Sequence, residues 1–386
     1  MDQPESLTNS APLIFIIAGE DSGDLHGARL IEELRQENPH FLFAGYGGQK
    51  MAAAGCEILV PVDKLAIMGF VEVIKHLSFF RRLLNDTVNE ILRRRPQRVI
   101  LIDYPGFNLR LAKRLAEHRI PCTYFILPQV WAWKEKRVKI IRRYFDQTLS
   151  IFPFEEAWFN QRKVNTTYVG HPFSELPAPE QTRTDFYHHH RLAKNTPLLV
   201  LFPGSRQQEV DRHLAVFLSA AQQLAHANPG LRIMVGRAPG INIEPLPAGI
   251  LVEDRNPLLA LRYGQAAVVA SGTATLEAAV FNIPAVVGYR LAPVTFWIAR
   301  RLVKTPYVAM SNLIAGKLVV PELLQNDLTA ENLVFQLQPL LSQSDERTRM
   351  LTDYAEIRRA LGEPGAYRRA AHLISEQITA MTDEAE

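Results

Sequence analysis

Pro203-Gly204-Ser205-Arg206 stands directly after the apolar run 198–202 and before a helical pattern that begins at Gln208. A buried parallel strand ending in a glycine turn before a helix leaves backbone N–H groups aimed at one spot. The helix start adds partial positive charge there, which suits phosphate. A second corner follows in the same half of the chain, where the apolar run 267–270 leads into Ser271-Gly272-Thr273-Ala274-Thr275-Leu276-Glu277. It repeats the device with hydroxyl donors added. Two such corners suggest a diphosphate held between two helix starts, with Glu277 a turn further on to accept hydrogen bonds from a ribose diol. Strand–glycine–helix turns also serve merely to reverse a chain, and Arg206 alone reads equally as a surface arginine. The pair together points to nucleotide binding.

Carboxylates supply the second kind of chemistry. Gly19-Glu20-Asp21-Ser22-Gly23-Asp24-Leu25-His26 follows the apolar run 13–18. It lacks the Gly-x-Gly-x-x-Gly spacing, and its three acids would repel a pyrophosphate, so an NAD site is a poor reading. Acids here suit sugar hydroxyls. Ser22 and Asp24 read alternatively as helix caps, and Glu20, at the strand end, has the better claim to substrate. Asp103 closes the all-apolar run 99–102 and precedes Tyr104-Pro105-Gly106-Phe107-Asn108. An acid in that place is costly to bury unless hydrogen-bonded or working. It is a candidate base, or a cap for a helix expected from Leu109, a task Asn108 would do at least as well. Trp131 and Trp133, in Leu127-Pro128-Gln129-Val130-Trp131-Ala132-Trp133-Lys134, form either a core pair or a rim for acyl chains or a sugar ring. His171 reads more simply as structural than catalytic. Asn312, in the turn-rich stretch 310–316, is placed to read a base or a phosphate.

The elements that must position these residues alternate along the chain. Strand-like runs at 13–18, 41–44, 57–60, 99–103, 122–127 and 148–152 are separated by helical patterns at 25–37, 70–94, 109–118 and 134–144. After a Pro-rich polar stretch at 172–197, strands recur at 198–202, 231–235, 250–252, 267–270 and 285–288. Such alternation argues a doubly wound parallel sheet in each half, with ligands beyond the carboxyl ends of the strands. The expected domains are 1–175 and 176–365, with a final helix at 366–386 that can cross back onto the first. His188-His189-His190 cannot all face one metal and reads as solvated linker.

Two segments are unusually apolar with basic ends. On a helix spanning 65–84, Glu72, Lys75, His76 and Arg82 share one narrow face, and apolar side chains fill the rest. That arc exceeds the ~100° stripe of an ordinary surface helix. The helix is either buried on two sides or lies on lipid, with Phe70, Val71, Ile74, Leu77, Phe79 and Phe80 toward the acyl region and Arg81 and Arg82 at the headgroups. The stretch 294–304, with Phe296, Trp297, Arg300 and Arg301, is a second candidate. No uncharged stretch approaches the ~20 residues needed to cross a bilayer. A net charge of +3 decides nothing about partners, and no face concentrates Lys and Arg as a nucleic-acid binder would. Cys56 and Cys122 form no metal spacing and suit a reducing, cytoplasmic compartment.

Taken in order, these motifs resemble those of the lipid-A-disaccharide synthase family, inverting glycosyltransferases of lipopolysaccharide biosynthesis. The likeness runs from Gly19 to about Arg369 and rests on Gly19–Asp24, Pro128–Trp133, Pro203–Arg206, Ser271–Glu277 and 311–316. It implies a GT-B architecture, two Rossmann-like domains facing across a cleft. The implied reaction joins UDP-2,3-diacylglucosamine to 2,3-diacylglucosamine 1-phosphate, giving a β-1,6 disaccharide 1-phosphate and UDP. By likeness, Gly204, Ser205, Arg206, Ser271, Gly272, Thr273, Ala274, Thr275, Glu277 and Asn312 should hold UDP. Asp103 and Glu20 should serve catalysis, and Ser22, Asp24 and Trp131 should face the acceptor. One departure stands out: some relatives carry a second acid after the Asp103 strand, where this chain has Gly106. No Asp-x-Asp cluster offers a Mg²⁺ site, so no metal and no cofactor are expected, and Arg206 with the helix starts would stabilise the leaving group. The implied setting is cytoplasmic and peripheral on the inner membrane, with room for a homodimer. The rival readings are a UDP-sugar epimerase of the same fold and a non-catalytic, membrane-docked UDP-sugar binder.

Overall fold

The computed structural model describes residues 11–66, 77–176, 179, 181–243, 245–303 and 305–383. The chain divides into two compact units, Met1–Pro172 with Glu363–Glu386, and Phe173–Gly362.

The first unit is built on seven strands, β1 (Leu13–Ala18), β2 (Leu42–Gly47), β3 (Cys56–Pro61), β4 (Arg98–Ile102), β5 (Cys122–Phe125), β6 (Gln147–Ser150) and β7 (Thr166–Tyr168). They pair in the order β3-β2-β1-β4-β5-β6-β7, and every pairing is parallel. Residues 14–18 of β1 and all of β4 are buried, as near-continuous apolar runs are when helices cover both faces of a parallel sheet. Phe15, Ile17, Val99 and Leu101 meet Leu111 and Leu115 of the helix Pro105–Ala116 in one core. Chain order runs outward from β1 to β3 and then restarts at β4, so the sheet reverses direction between β1 and β4. The final helix, Ala366–Asp383, packs on the helix Asp21–Glu37, and Gln147 Nε2 donates to Leu373 O at 2.9 Å.

The second unit repeats the plan with β8 (Leu198–Phe202), β9 (Arg232–Gly236), β10 (Leu251–Glu253), β11 (Ala266–Val269), β12 (Ala285–Tyr289) and β13 (Glu322–Leu324), ordered β10-β9-β8-β11-β12-β13. Its reversal falls between β8 and β11, which pair in parallel from Ala266↔Leu199 to Val269↔Phe202. The stretch expected to be a solvated linker holds a helix, Arg183–His189, opened by a Thr182–Asp185 capping box. His190 is drawn inward, its Nε2 2.8 Å from Glu253 Oε2, while His188 and His189 stay exposed.

Candidate active site

Helix starts decide what each loop presents. The helix Asp21–Glu37 begins immediately after β1, so Asp21, Ser22 and Asp24 lie within it, and Glu20 is its N-cap residue without a capping side-chain bond. Similarly, the helix after β4 starts at Pro105, not near Leu109; proline suits that first position because its missing N–H has no helical partner. The loop is thereby shortened to Asp103 and Tyr104, both in the left-handed backbone region, φ 42° and 46°. Non-glycine residues held there are strained and cluster at working sites. The turn is tied down from beneath. Asn108 Nδ2 donates to Asp103 O at 2.7 Å and to Ile102 O at 3.2 Å, and Tyr124 Oη donates to Asp103 O at 2.9 Å. A Cβ on Gly19 would stand 2.2 Å from Tyr104 Cγ, so only glycine lets the β1 loop approach this closely. Glu20 and Asp103 thus share the reversal point of their sheet, where ligands of doubly wound folds bind.

Electrostatics mark the same spot. Burial, then the neighbouring Glu20, push the Asp103 carboxyl up to about 7, against a hydrogen bond from the Tyr104 amide. Behind it, burial pushes Glu155 up to about 8; this acid accepts from Trp131 Nε1 at 2.9 Å. His26 and His171 are both driven down by burial, to about 4 and about 3. His26 bonds Tyr367 Oη of the final helix through Nδ1 at 2.8 Å, and His171 lies 5.3 Å from the ring of Phe152. Both are neutral at ordinary pH and read as structural.

In the second unit the two glycine corners leave adjacent strands, β8 and β11, at their carboxyl ends. Gly204 sits at φ 138° and Arg206 is the exposed N-cap residue of the helix Gln207–Ala227. His213 buttresses the corner: Nδ1–H donates to Pro203 O at 2.7 Å and Nε2 accepts from Arg290 N at 2.9 Å, which fixes the neutral tautomer. Glu209, which the motif reading missed, accepts from Ser205 N at 3.1 Å, and its other oxygen takes the Tyr289 hydroxyl at 3.1 Å. A carboxylate therefore already rests on the amide offered to phosphate. At the second corner, Gly272 (φ 131°) precedes the helix Thr273–Val280, whose first turn has no capping side chain. Thr273 is exposed, and Ala274 is half-buried beside it. Burial pushes Glu277 up to about 7.

Several expected roles are corrected. Asp24 is not open to an acceptor: its carboxylate takes the amides of Gly48, Lys50 and Met51 at 2.6, 3.1 and 3.1 Å, fixing the start of the helix Gln49–Ala53. Trp131 is buried, edge-on to Phe154 at 4.9 Å, with its N–H spent on Glu155. Asn312 lies in a helix, Met310–Ala315, and is saturated; it donates to Val320 O and Glu322 Oε1 and accepts from the amides of Val319 and Val320. The hydroxyls of Ser271 and Thr275 are consumed by Val308 O, Gly272 O and the Met310 amide. Of the side-chain donors expected there, Ser205, Arg206 and Thr273 remain at the surface. Phe80 packs inward against Phe107. Phe79, Arg81 and Arg82 are exposed near the start of the helix Leu77–Arg94, Ser22 is exposed, and Phe70, Val71 and Ile74 lie outside the described residues.

Residues 14–377 match the family described as Lipid-A-disaccharide synthetase. The Lipid-A-disaccharide synthase of Acidobacterium capsulatum is 41% identical over 93% of this chain and 94% of its own. That of Myxococcus xanthus is 40% identical over 95% and 98%. The chain belongs to the lipid-A-disaccharide synthetase family. As a member of that family it is a glycosyltransferase, and its fold is found among solved structures of the GT-B kind. The glycosyltransferase of kitacinnamycin aligns at TM-score 0.65 and 16% identity over 95% of this chain and 99% of that one. The S. aureus MnaA–UDP structure aligns at 0.66 and 11% over 95% and 97%. At such identities the likeness to these two is one of fold.

Proposed function

We propose that the chain transfers a diacylglucosaminyl group from UDP-2,3-diacylglucosamine to the 6-hydroxyl of 2,3-diacylglucosamine 1-phosphate. Asp103 takes the hydroxyl proton as the acceptor oxygen bonds to the donor's anomeric carbon, on the face opposite the diphosphate. The anomeric C–O bond breaks, its electron pair leaves on UDP, and the configuration inverts to β. A carboxyl poised at about 7 suits this, because a base titrating near the working pH is both ionised and basic enough. On the other unit, amides at Gly204, Ser205 and Thr273 with Arg206 meet the charge developing on the diphosphate, without a metal or cofactor. The diphosphate displaces Glu209 from Ser205 N, and Glu277 receives the ribose diol.

The observation that carries this reading is that each sheet puts its chemistry at its own reversal point, acids after β1 and β4 and phosphate-type corners after β8 and β11. The test mixes purified protein with both lipids and follows UDP and disaccharide. UDP formed only when both lipids are present supports the transferase. Turnover of the UDP-sugar alone points to epimerisation or hydrolysis, and binding without turnover to a non-catalytic binder.

The same reading places the enzyme on the cytoplasmic face of the inner membrane. No helix among the described residues is long and apolar enough to cross a membrane. Two helix ends support surface contact. Phe79 is exposed beside Arg81 and Arg82, and Trp297 is 61% exposed on the helix Pro293–Leu302 with Arg301 stacked 3.3 Å above its ring. An exposed aromatic beside arginine suits the boundary between headgroups and acyl chains.

A further inference from the structure

We propose that Tyr104 is a positioning residue for the proposed base: its ring, wedged between Gly19 and Phe107, holds the turn that aims the Asp103 carboxyl and shields it from water. The inference rests on the reading above that Asp103 takes the acceptor's proton.

A bulky side chain in the left-handed region is an outlier, and here two such residues stand in succession, Asp103 at φ 42° and Tyr104 at φ 46°, ψ 54°. Glycine at 104 would make the same turn without strain. Strain of this kind persists only where the surroundings hold it, and the ring supplies the hold. On one side it stacks on Phe107, centroids 5.9 Å apart at 28°, and Phe107 is itself buried and edge-on to Phe80. On the other side it lies against the β1 loop. The three atoms nearest a Cβ built on Gly19 all belong to the ring, Cγ, Cδ1 and Cδ2 at 2.2, 2.5 and 2.6 Å. Gly19 lies outside the left-handed region, so its backbone would accept a side chain; the ring is what forbids one. A Cβ on Gly106, by contrast, would meet nothing within 4 Å. The crowding is specific to the loop that carries Glu20.

Backbone bonds join the ring to the base. Tyr104 N donates to the Asp103 carboxyl, and Tyr104 O accepts from the amides of Phe107 and Asn108 at 3.2 and 3.1 Å. Shifting the ring therefore shifts the amide that orients the carboxyl. Burial is the largest cause of the raised Asp103 pKa. Glu20 on the β1 loop, Glu155 after β6 and Tyr124 on β5 are the other titratable groups that act with it. Loss of the ring admits water to the carboxyl, and hydration lowers its pKa. Both ring contacts use carbon atoms, so phenylalanine serves as well as tyrosine.

The experiment measures kcat and the acidic limb of kcat/KM for disaccharide formation in Tyr104→Asn, Tyr104→Gly, Tyr104→Phe, Gly19→Ala and the double variant Gly19→Ala with Tyr104→Asn, each checked as folded by circular dichroism. Asparagine and glycine accept the left-handed backbone but supply no ring. Both should lower kcat by roughly 10–100-fold through misplacement of the base and move the acidic limb to lower pH, with KM for the UDP-sugar unchanged. Tyr104→Phe should recover most of the rate and return the limb. Gly19→Ala alters no titratable group and expels the ring, so it should reproduce both effects. Added to Tyr104→Asn it should cost little more, because its Cβ then has no ring to meet. Should Gly19→Ala fail to fold, the Tyr104 series decides alone, by the limb and the phenylalanine rescue. An unmoved limb in both ringless variants, additive losses in the double variant, or Tyr104→Phe as slow as Tyr104→Asn would each overturn the proposal. Undiminished turnover in Asp103→Asn would instead refute the base on which the inference rests, and wild-type protein that makes no disaccharide would refute the transferase reading itself.

Discussion

Glu20 and Asp103 are both acids at one sheet reversal, and only one of them can be the base without penalty from the other. Burial sets most of the Asp103 shift and Glu20 adds to it. Below its pKa, kcat/KM for a reaction needing ionised Asp103 falls about tenfold per pH unit. Removing the Glu20 charge in Glu20→Gln lowers the Asp103 pKa, so the acidic limb of the profile should move to lower pH. A limb that stays in place would take Glu20 out of the electrostatics. Glu155 makes a second test. Its carboxyl titrates at about 8 in the fold against 4.5 in the unfolded chain. Between those values the native state keeps a proton that the unfolded chain has lost. Wild-type stability should therefore fall as pH rises through this window, at up to about 1.4 kcal/mol per pH unit for one proton. Glu155→Gln keeps an acceptor for Trp131 and cannot ionise. Relative to wild type it should melt progressively higher from pH 5 to about pH 8 and by a constant margin above that, and parallel melting curves between pH 5 and pH 8 would contradict this.

At the scale of elements, much of the plan was legible. Long apolar strands such as β1, β4 and β8 announce themselves, because buried parallel strands need no polar face. β7 (Thr-Thr-Tyr) and β13 (Glu-Leu-Leu) were missed, being three residues long and lacking such a run. Helix starts were misplaced after β1 and β4 because the chain turns within one or two residues. The capping box at Thr182–Asp185 was a readable signal for the helix Arg183–His189, masked by the prolines around it. Asp24 and Asn312 misled for another reason: polar residues in motif stretches invite a ligand role, yet their partners at 48–51 and 319–322 are invisible in a linear reading. Asp24→Ala should cost about 1–3 kcal/mol by stranding the buried amide of Met51 and the partly buried amides of Gly48 and Lys50, with UDP affinity unchanged in the folded protein; unaltered melting would contradict the capping role. The candidate lipid-facing helix ends make a separate claim. Phe79→Ser with Trp297→Ser should reduce flotation on anionic liposomes severalfold while leaving turnover in detergent micelles intact, and undiminished flotation would dismiss both helices as anchors.

Across the molecule, the two units repeat one plan with different chemistry. The first brings two acids, Asp103 and Glu20, to its reversal point. The second brings glycine corners and amides. Strand order makes that division visible, and order is a property of pairing that no local pattern encodes; the motifs located the loops, and the sheets explain why those loops matter. The most direct test compares Asp103→Asn with wild type in two assays, disaccharide formation from both lipids and equilibrium binding of UDP. Turnover should drop by roughly 10²–10⁴-fold, while UDP affinity stays within about twofold because the groups proposed to hold UDP belong to the other unit. Undiminished turnover, or a loss of UDP affinity equal to the loss of rate, would contradict the assignment of Asp103 as base.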